Sequence, residues 1–378
     1  MNILHLSAIR TWGGGENHIF NLVKEFRKSS SEDINIVLCL KNSELHQQLK
    51  SEGLTHSTSN LSLKIDPRFS GKIISICKKE KIDLIHIHDS TALTLAIIAD
   101  KLYNLPPFIL SKKTSFPIKD RRQTLYKYNY SKIKKILCVS EETKRVTSNS
   151  ILDKEKLETV YHGTNLFPQN HQTSFNLKER LGLSADKILI GNIANHIRAK
   201  DLDTLINVLD LLINSKNRLE FHFIQIGKHS KRTEALLKKV KFLELNDHIS
   251  CLGFLPNASQ LISQFDISLM TSQSEGVPQF IYESFLYKTP VVSTKVGGIP
   301  EIIKNGENGF LAPAHDHIKI ANALITLSDD VSLQENFVRR SYKLLLESFS
   351  TEIMAQKTMD NYKKVIHGKY QTGNRNLS

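Results

Sequence analysis

The sequence predicts an α/β protein of two domains with parallel strands, and three observations carry that expectation. A chain of 378 residues is too long for one ordinary hydrophobic core, so two cores are expected. Apolar runs of strand length alternate with segments whose apolar residues recur every three or four positions, the pattern of strands joined by helices. In the clearest unit, an apolar run at 265–270 is followed by the loop Ser274-Glu275-Gly276-Val277-Pro278, a helix from Gln279, and a second apolar run at 290–294. Strand, loop, helix and strand in that order join parallel neighbours.

Composition narrows the class. Hydrophobic residues make 40% and charged residues 24% of the chain, a globular balance, and no apolar run approaches the roughly 20 residues of a membrane-spanning helix. The start, Met1-Asn2-Ile3-Leu4-His5-Leu6-Ser7, reads as a strand and lacks the basic and long apolar regions of a secretory leader. Cys39, Cys77, Cys138 and Cys251 lie in or beside apolar runs without metal-type spacing. They suit small core residues in a reducing compartment, and the cytoplasm is the expected location. A net charge of +13 attracts something acidic; nucleic acid, an anionic bilayer and phosphorylated substrates all fit. Zinc-finger spacing and the aromatic–basic signature of an RNA-binding module are both missing, so no nucleic-acid partner is expected.

The first strand leads into Arg10-Thr11-Trp12-Gly13-Gly14-Gly15-Glu16-Asn17-His18, with Ile19, Leu22, Val23 and Phe26 following at helical spacing. Consecutive glycines let the backbone turn tightly and approach a ligand closely, although a plain strand–helix turn uses them too. His18 is assigned no role. Residues 34–40 form a second strand, and 70–81 a helix with Ile73, Ile74 and Cys77 inward. The run 82–90 is an apolar strand ending in polar residues, and alternation puts His86 and His88 on one face. Two histidines can begin a metal site, but no third ligand stands nearby in the sequence, and no metal is expected. A strand at 108–111 leads into a stretch, 112–135, with nine Lys or Arg against one Asp and Tyr126, Tyr128 and Tyr130 interleaved. Such a stretch is either a solvated face or a contact for an anionic membrane or acidic acceptor. Residues 136–144 read as strand, cap and helix with Ser140 as N-cap. A last strand in 158–165 closes a first domain expected over 1–168.

A linker rich in Asn and Gln is expected at 167–175, and the second domain over 169–349. It opens with an apolar strand at 188–195. The loop His196-Ile197-Arg198-Ala199-Lys200-Asp201 follows, then a helix from Leu202. Arg and Lys at a strand's carboxyl end can clamp a diphosphate. Strands at 221–227 and 249–255 precede the 265–294 unit, where a ligand would lie beyond the carboxyl ends of the strands. Pro278 sits where the helix would begin. The N–H groups of Gly276 and Val277 are free to meet a ligand, and a helix N-terminus favours an anion. Glu275 lies in the loop, and Glu283 shares a helix face with Gln279. A backbone-held phosphate between two carboxylates suits a nucleotide sugar, although two Glu eight apart also occur on solvated faces. Beyond 313 the chain is helical, and a polar tail at 367–378 is expected to be disordered.

Glu275-Gly276-Val277-Pro278 through Glu283-Ser284-Phe285, then Thr289-Pro290-Val291-Val292-Ser293-Thr294, Gly297-Gly298-Ile299-Pro300-Glu301 and Asn305-Gly306-Glu307-Asn308-Gly309-Phe310-Leu311 closely resemble the donor-binding half of the family 4 retaining glycosyltransferases. The resemblance implies the GT-B fold: two Rossmann-like doubly wound domains facing across a cleft, with a final helix, here 350–366, crossing back to the first domain. It implies roles as well. Glu283 would accept bonds from the ribose, while Glu275 with the backbone of Gly276, Val277, Pro278 and Gln279 would hold the donor sugar and diphosphate. Gly14 and Gly15, similar to the family's Gly-Gly-x-Glu start, would lie against the diphosphate. Lys200 would neutralise the leaving group. Many members carry an arginine five residues before that lysine; Asn195 stands there, so Arg198 is the candidate for the second charge. Asp201 replaces the usual glycine after the lysine, and His162 an asparagine. His88 matches a histidine that faces the donor sugar.

The expected reaction is transfer of a sugar from a nucleotide-diphosphate donor to an acceptor hydroxyl with retention. The leaving phosphate helps remove the acceptor proton, and no cofactor or required divalent ion takes part. The acceptor is expected to be a glycan or lipid-linked glycan of a bacterial surface polymer such as lipopolysaccharide. The 112–135 stretch would then be a peripheral contact with the inner face of the cytoplasmic membrane. A nucleotide-sugar epimerase of the same architecture, or a non-catalytic basic binding protein, are the alternatives the residues leave open.

Overall fold

The computed structural model describes residues 1–29, 33–62, 66–166 and 176–373. The chain divides into two compact units, Met1–Asn165 with Ser350–Ser378, and Leu166–Phe349. The expected linker, 167–175, lies outside the described residues.

The first unit is built on seven parallel strands: β1 (Asn2–Leu6), β2 (Ile34–Leu40), β3 (His56–Ser59), β4 (Leu84–Ile87), β5 (Phe108–Lys112), β6 (Ile133–Cys138) and β7 (Leu157–Thr159). Their order is β3-β2-β1-β4-β5-β6-β7. The chain winds outward from β1 to one edge, returns beside β1 at β4, and winds to the other edge, which puts helices on both faces. Strand alternation then builds two cores. Leu4, Leu6, Ile85, Ile87 and Leu110 pack with Phe69 and Ile73 of the helix Pro67–Lys79 and Leu93 and Ala96 of the helix Ser90–Leu102. On the opposite face Ile3, Leu84, Ile109 and Leu137 meet Leu22 and Phe26 of the helix Gly14–Ser29.

The same face is covered by the last helix, Thr351–Gly373, through Met354, Tyr362, Val365 and Ile366. Burying each of Met354, Val365 and Ile366 contributes roughly 1.5–3 kcal/mol. The helix runs on to Gly373, past the 350–366 expected for it; 374–378 lie outside the described residues. Its start is pinned by a parallel bridge between Thr164 and Ser350. Only glycine fits at 163, because a Cβ there would stand 2.4 Å from the Ser350 carbonyl oxygen.

The second unit holds six parallel strands: β8 (Ile188–Ile193), β9 (Phe221–Ile226), β10 (Ile249–Cys251), β11 (Ile267–Met270), β12 (Val291–Thr294) and β13 (Phe310–Ala312), in the order β10-β9-β8-β11-β12-β13. It repeats the winding of the first sheet. Ile190, Phe221, Phe223, Leu269 and Val292 build its core with Leu205 and Leu209 of the helix Leu202–Asp210 and Leu324 of the helix His317–Asp329.

Several elements start or stop elsewhere than expected. The strand at 82–90 ends at Ile87, because the Asp89 side chain caps the next helix. The helix expected over 70–81 begins at Pro67, after the Asp66 cap. Ser140, by contrast, caps its helix as expected, through a 3.0 Å bond from Thr143 N–H.

Candidate active site

Strand order reverses between β1 and β4 in the first sheet and between β8 and β11 in the second. Loops leaving two such strands diverge, and the space beyond their carboxyl ends is where open α/β sheets bind ligands. The glycine loop follows β1 and His88 follows β4; Arg198 and Lys200 follow β8 and Glu275 follows β11. Each group of candidate residues therefore stands at the switch point of its own sheet.

In the second unit, the loop after β11 holds the loop after β8. Thr271 Oγ1 donates to the carbonyls of Lys200 (3.1 Å) and Asp201 (3.0 Å), and Gln273 N–H donates to that of Ala199 (2.9 Å). The result brings Lys200 Nζ to 2.6 Å from Glu275 Oε1, with both side chains largely buried. Asp201 has φ +47°, the left-handed conformation that glycine adopts at least cost and Asp tolerates better than most. That explains how Asp201 replaces a glycine here. Its carboxylate also accepts from Thr204 Oγ1 at 2.7 Å and lies 2.6 Å from His315 Nδ1. Arg198 is exposed and, among the described residues, its guanidinium has no partner.

Beyond Glu275, Gly276 turns the chain, its carbonyl accepting from Gly298 N–H at 2.7 Å. Among the described residues, no acceptor meets the N–H groups of Gly276 and Val277. Pro278 has an extended backbone, ψ 130°, so it is the residue before the helix Gln279–Leu286 and not the first within it. Glu283 is half-buried on that helix, and burial pushes its carboxyl up to about 7. Among the described residues no donor reaches it. A carboxylate partly withdrawn from water and left without donors is suited to accepting bonds from hydroxyls.

In the first unit, Gly14 and Gly15 open their helix with ordinary negative φ, and a Cβ at Gly14 would meet only open space. His88 is buried. Its Nε2 lies 3.1 Å from His5 Nδ1, and its Nδ1 has no partner among the described residues. Asp89 ties the two loops together: Oδ1 accepts from Thr91 and Ala92 N–H, and Oδ2 from Ala8 N–H at 2.7 Å. The histidine cluster extends to His18 and His162, whose ring centroids are 4.6 Å apart. Burial holds all five imidazoles, His5, His18, His86, His88 and His162, below the ordinary histidine range.

Three readings need correction. A third histidine does stand beside His86 and His88: parallel pairing sets His5 against His86, and the ligand atoms of the three lie within 4.8 Å of one another. Five of their six ring nitrogens are nonetheless engaged, by one another, Asn35, Ser111 and Tyr362. The expectation of no required divalent ion took the sequence to hold no Asp-x-Asp run, but Asp201-Leu202-Asp203 is one. Asp201 is spent on Thr204 and His315, and Asp203 pairs with Lys239 at 2.7 Å. Third, the 112–135 stretch is not one basic face. Lys112 is buried on the carbonyls of Thr114 and Phe116. Lys113 turns inward to donate to the Gly15 carbonyl at 2.9 Å, and burial lowers it to about 8 against the pull of Glu16 and Asp89. Lys119, Arg121, Arg122 and Lys134 remain exposed.

Two parallel doubly wound units, each with polar side chains gathered at its switch point, are the architecture of the GT-B class of glycosyltransferases. A solved structure of Anabaena Alr3699/HepE in complex with UDP and glucose has the same fold, with a TM-score of 0.83 at 19% identity over 96% of this chain and 100% of that one. Residues 12–166 match the family model "Glycosyltransferase Family 4" and residues 186–330 the model "Glycosyl transferases group 1", together well over half of the chain. The protein belongs to glycosyltransferase family 4. It is 21% identical, over 76% of each chain, to the N-acetyl-alpha-D-glucosaminyl L-malate synthase of Bacillus anthracis. It is 22% identical, over 82% of this chain and 84% of the other, to the Escherichia coli UDP-Gal:alpha-D-GlcNAc-diphosphoundecaprenol alpha-1,3-galactosyltransferase.

Proposed function

We propose that the protein moves a sugar from a nucleotide-diphosphate donor to a hydroxyl of a glycan or lipid-linked glycan, with retention at the anomeric carbon. The observation that carries this reading is the Lys200–Glu275 pair on the loops after β8 and β11, together with a Glu283 carboxylate on the next helix that no donor reaches among the described residues. Glu283 accepts from the ribose hydroxyls. The amides of Gly276 and Val277, with Pro278 and Gln279 completing the turn, take the diphosphate at the head of their helix. In the first unit, Gly14, where a Cβ would meet only open space, with Gly15 next to it, leaves room for a phosphate to approach the backbone.

The bond between the anomeric carbon and the β-phosphate oxygen breaks as the acceptor oxygen bonds to the same face of that carbon. The acceptor proton passes to the departing phosphate. Lys200 balances the charge growing there, which lowers the barrier electrostatically; Arg198 supplies a second charge from solvent. Glu275 orients Lys200 and meets the donor sugar, and His88 accepts from a sugar hydroxyl. Because Lys200 provides the cation, transfer is expected to survive chelation by EDTA.

The E. coli relative is named for a diphosphoundecaprenol-linked acceptor. That supports an acceptor class of lipid-linked surface glycan, and work at the inner face of the cytoplasmic membrane. Among the described residues no helix is long and apolar enough to cross a membrane. Contact with anionic lipid therefore falls to the exposed part of the 112–135 stretch: Lys119, Arg121, Arg122 and Lys134 with Phe116 and Tyr126.

The test is a thermal-shift screen of nucleotide sugars, since a ligand that binds only the folded state raises its melting temperature. Product analysis with the hit follows. Free nucleotide diphosphate released only in the presence of acceptor, with the product's anomeric configuration unchanged by NMR, is the expected result. Interconversion of sugars without acceptor would make the protein an epimerase, and inversion would remove the front-side displacement.

A further inference from the structure

We infer that Asn35 and His5 are positioning residues that hold His88 in one tautomer, protonated at Nε2 and bare at Nδ1. One oxygen stands in the chain of contacts. Asn35 Oδ1 lies 3.1 Å from His5 Nε2, and a carbonyl oxygen can only accept, so the His5 proton sits on Nε2. His5 Nδ1 then carries a lone pair. It lies 3.1 Å from His88 Nε2, so His88 must donate from Nε2, and its Nδ1 is left as an acceptor. That atom is buried and, among the described residues, has no partner. An unmet acceptor in the interior is costly unless something else supplies its donor.

The geometry behind the relay comes from three strands. Asn35 on β2 stands next to Ile3, two residues from His5, and His5 is set against His86, two residues before His88. The His5 and His88 rings stack with centroids 5.4 Å apart and planes 14° from parallel, which limits their rotation. Burial keeps both imidazoles neutral, so each ring carries a single proton to be placed. His86 stands outside the relay, its nitrogens taken by Tyr362 (2.5 Å) and Ser111 (2.8 Å). A ring fixed in this form can receive a hydroxyl proton donor but cannot donate to a ligand from Nδ1.

What Nδ1 accepts from rests on the reading of His88 as a contact of the donor sugar; the tautomer itself does not. The experiment uses full-length protein with 15N-labelled histidine and long-range proton–nitrogen correlation spectra, with His5→Gln and His88→Gln to assign signals. His5 and His88 are expected to carry their protons on Nε2. Asn35→Asp keeps an accepting oxygen and should leave both unchanged. Asn35→Leu removes it, mixes the His88 tautomers, and raises KM for the nucleotide sugar found in the donor screen by about two- to tenfold with little change in kcat. A proton on His88 Nδ1 in the wild type, or a tautomer indifferent to Asn35→Leu, overturns the relay. A tautomer that answers to Asn35→Leu while KM stays fixed upholds the relay and removes His88 from the sugar.

Discussion

Replacing Glu283 by Gln should stabilise the protein at alkaline pH while weakening its hold on the donor. Burial lifts the Glu283 carboxyl from 4.5 to about 7, and each unit corresponds to 1.36 kcal/mol. Between those values the unfolded chain has released the proton and the folded one still holds it, so stability falls as pH rises through this window. The full cost, about 3 kcal/mol, is present above pH 7 and absent below about pH 4.5. The neutral amide of the Glu283→Gln variant carries no such cost. Thermal melts of both proteins should therefore coincide at pH 4.5 and separate toward pH 8, by up to about 6–12 °C for a unit of this size. Donor binding should move the other way. A carboxylate that accepts from ribose hydroxyls makes bonds worth about 1.5–3 kcal/mol each, so calorimetry at pH 8 should show Glu283→Gln at least tenfold weaker. The gap should close as the wild-type carboxyl is protonated below pH 7. Melting curves that stay parallel from pH 4.5 to 8, together with equal affinities at pH 8, would refute the assignment of Glu283 as a desolvated ribose acceptor.

Other substitutions probe the remaining parts. Lys200→Ala should lower kcat by about 10²–10³ with saturating donor, the scale for losing one group that balances transition-state charge; a loss confined to KM would argue for ground-state binding alone. Gly163→Ala, which drives a Cβ to 2.4 Å from the Ser350 carbonyl oxygen, should cost about 1–3 kcal/mol, read by denaturant unfolding. Reversing Arg121 and Arg122 to Glu should weaken sedimentation with phosphatidylserine vesicles about thirtyfold or more, at roughly 1 kcal/mol per basic residue. Neutral vesicles serve as control, and equal binding to both kinds would place the membrane contact elsewhere.

Much of this architecture is legible before any coordinates. Strands such as Ile34–Leu40 and Phe221–Ile226 are short apolar runs because both faces of their sheets are covered. The loop from Glu275 to Gln279 and its helix can be read from the order of residue types alone. The edge strand His56–Ser59 escapes, since four polar or small residues carry no strand signal. The helix Ser90–Leu102 escapes for the opposite reason: it is apolar nearly all round, which blurs its period. The histidine cluster is hidden because register is a long-range property. His5 and His86 both follow two apolar residues on a strand, and that shared pattern is the one clue that pairing the strands would unite them. Lys113 misleads because charge counted along the chain does not say which way a side chain turns, and this one turns to Gly15. Asp201 looks like a departure in the sequence, yet its left-handed backbone meets the same demand as the glycine it replaces.

The bridge between Thr164 and Ser350 has an evolutionary consequence. The chain departs from the first unit and re-enters it at neighbouring positions, so Leu166–Phe349 is in effect an insert carried by a host. An insert with adjoining ends can be exchanged by recombination at two short seams without rethreading the host's sheet. A lineage built this way is free to pair one half with a new counterpart and so to try new combinations of activated sugar and recipient.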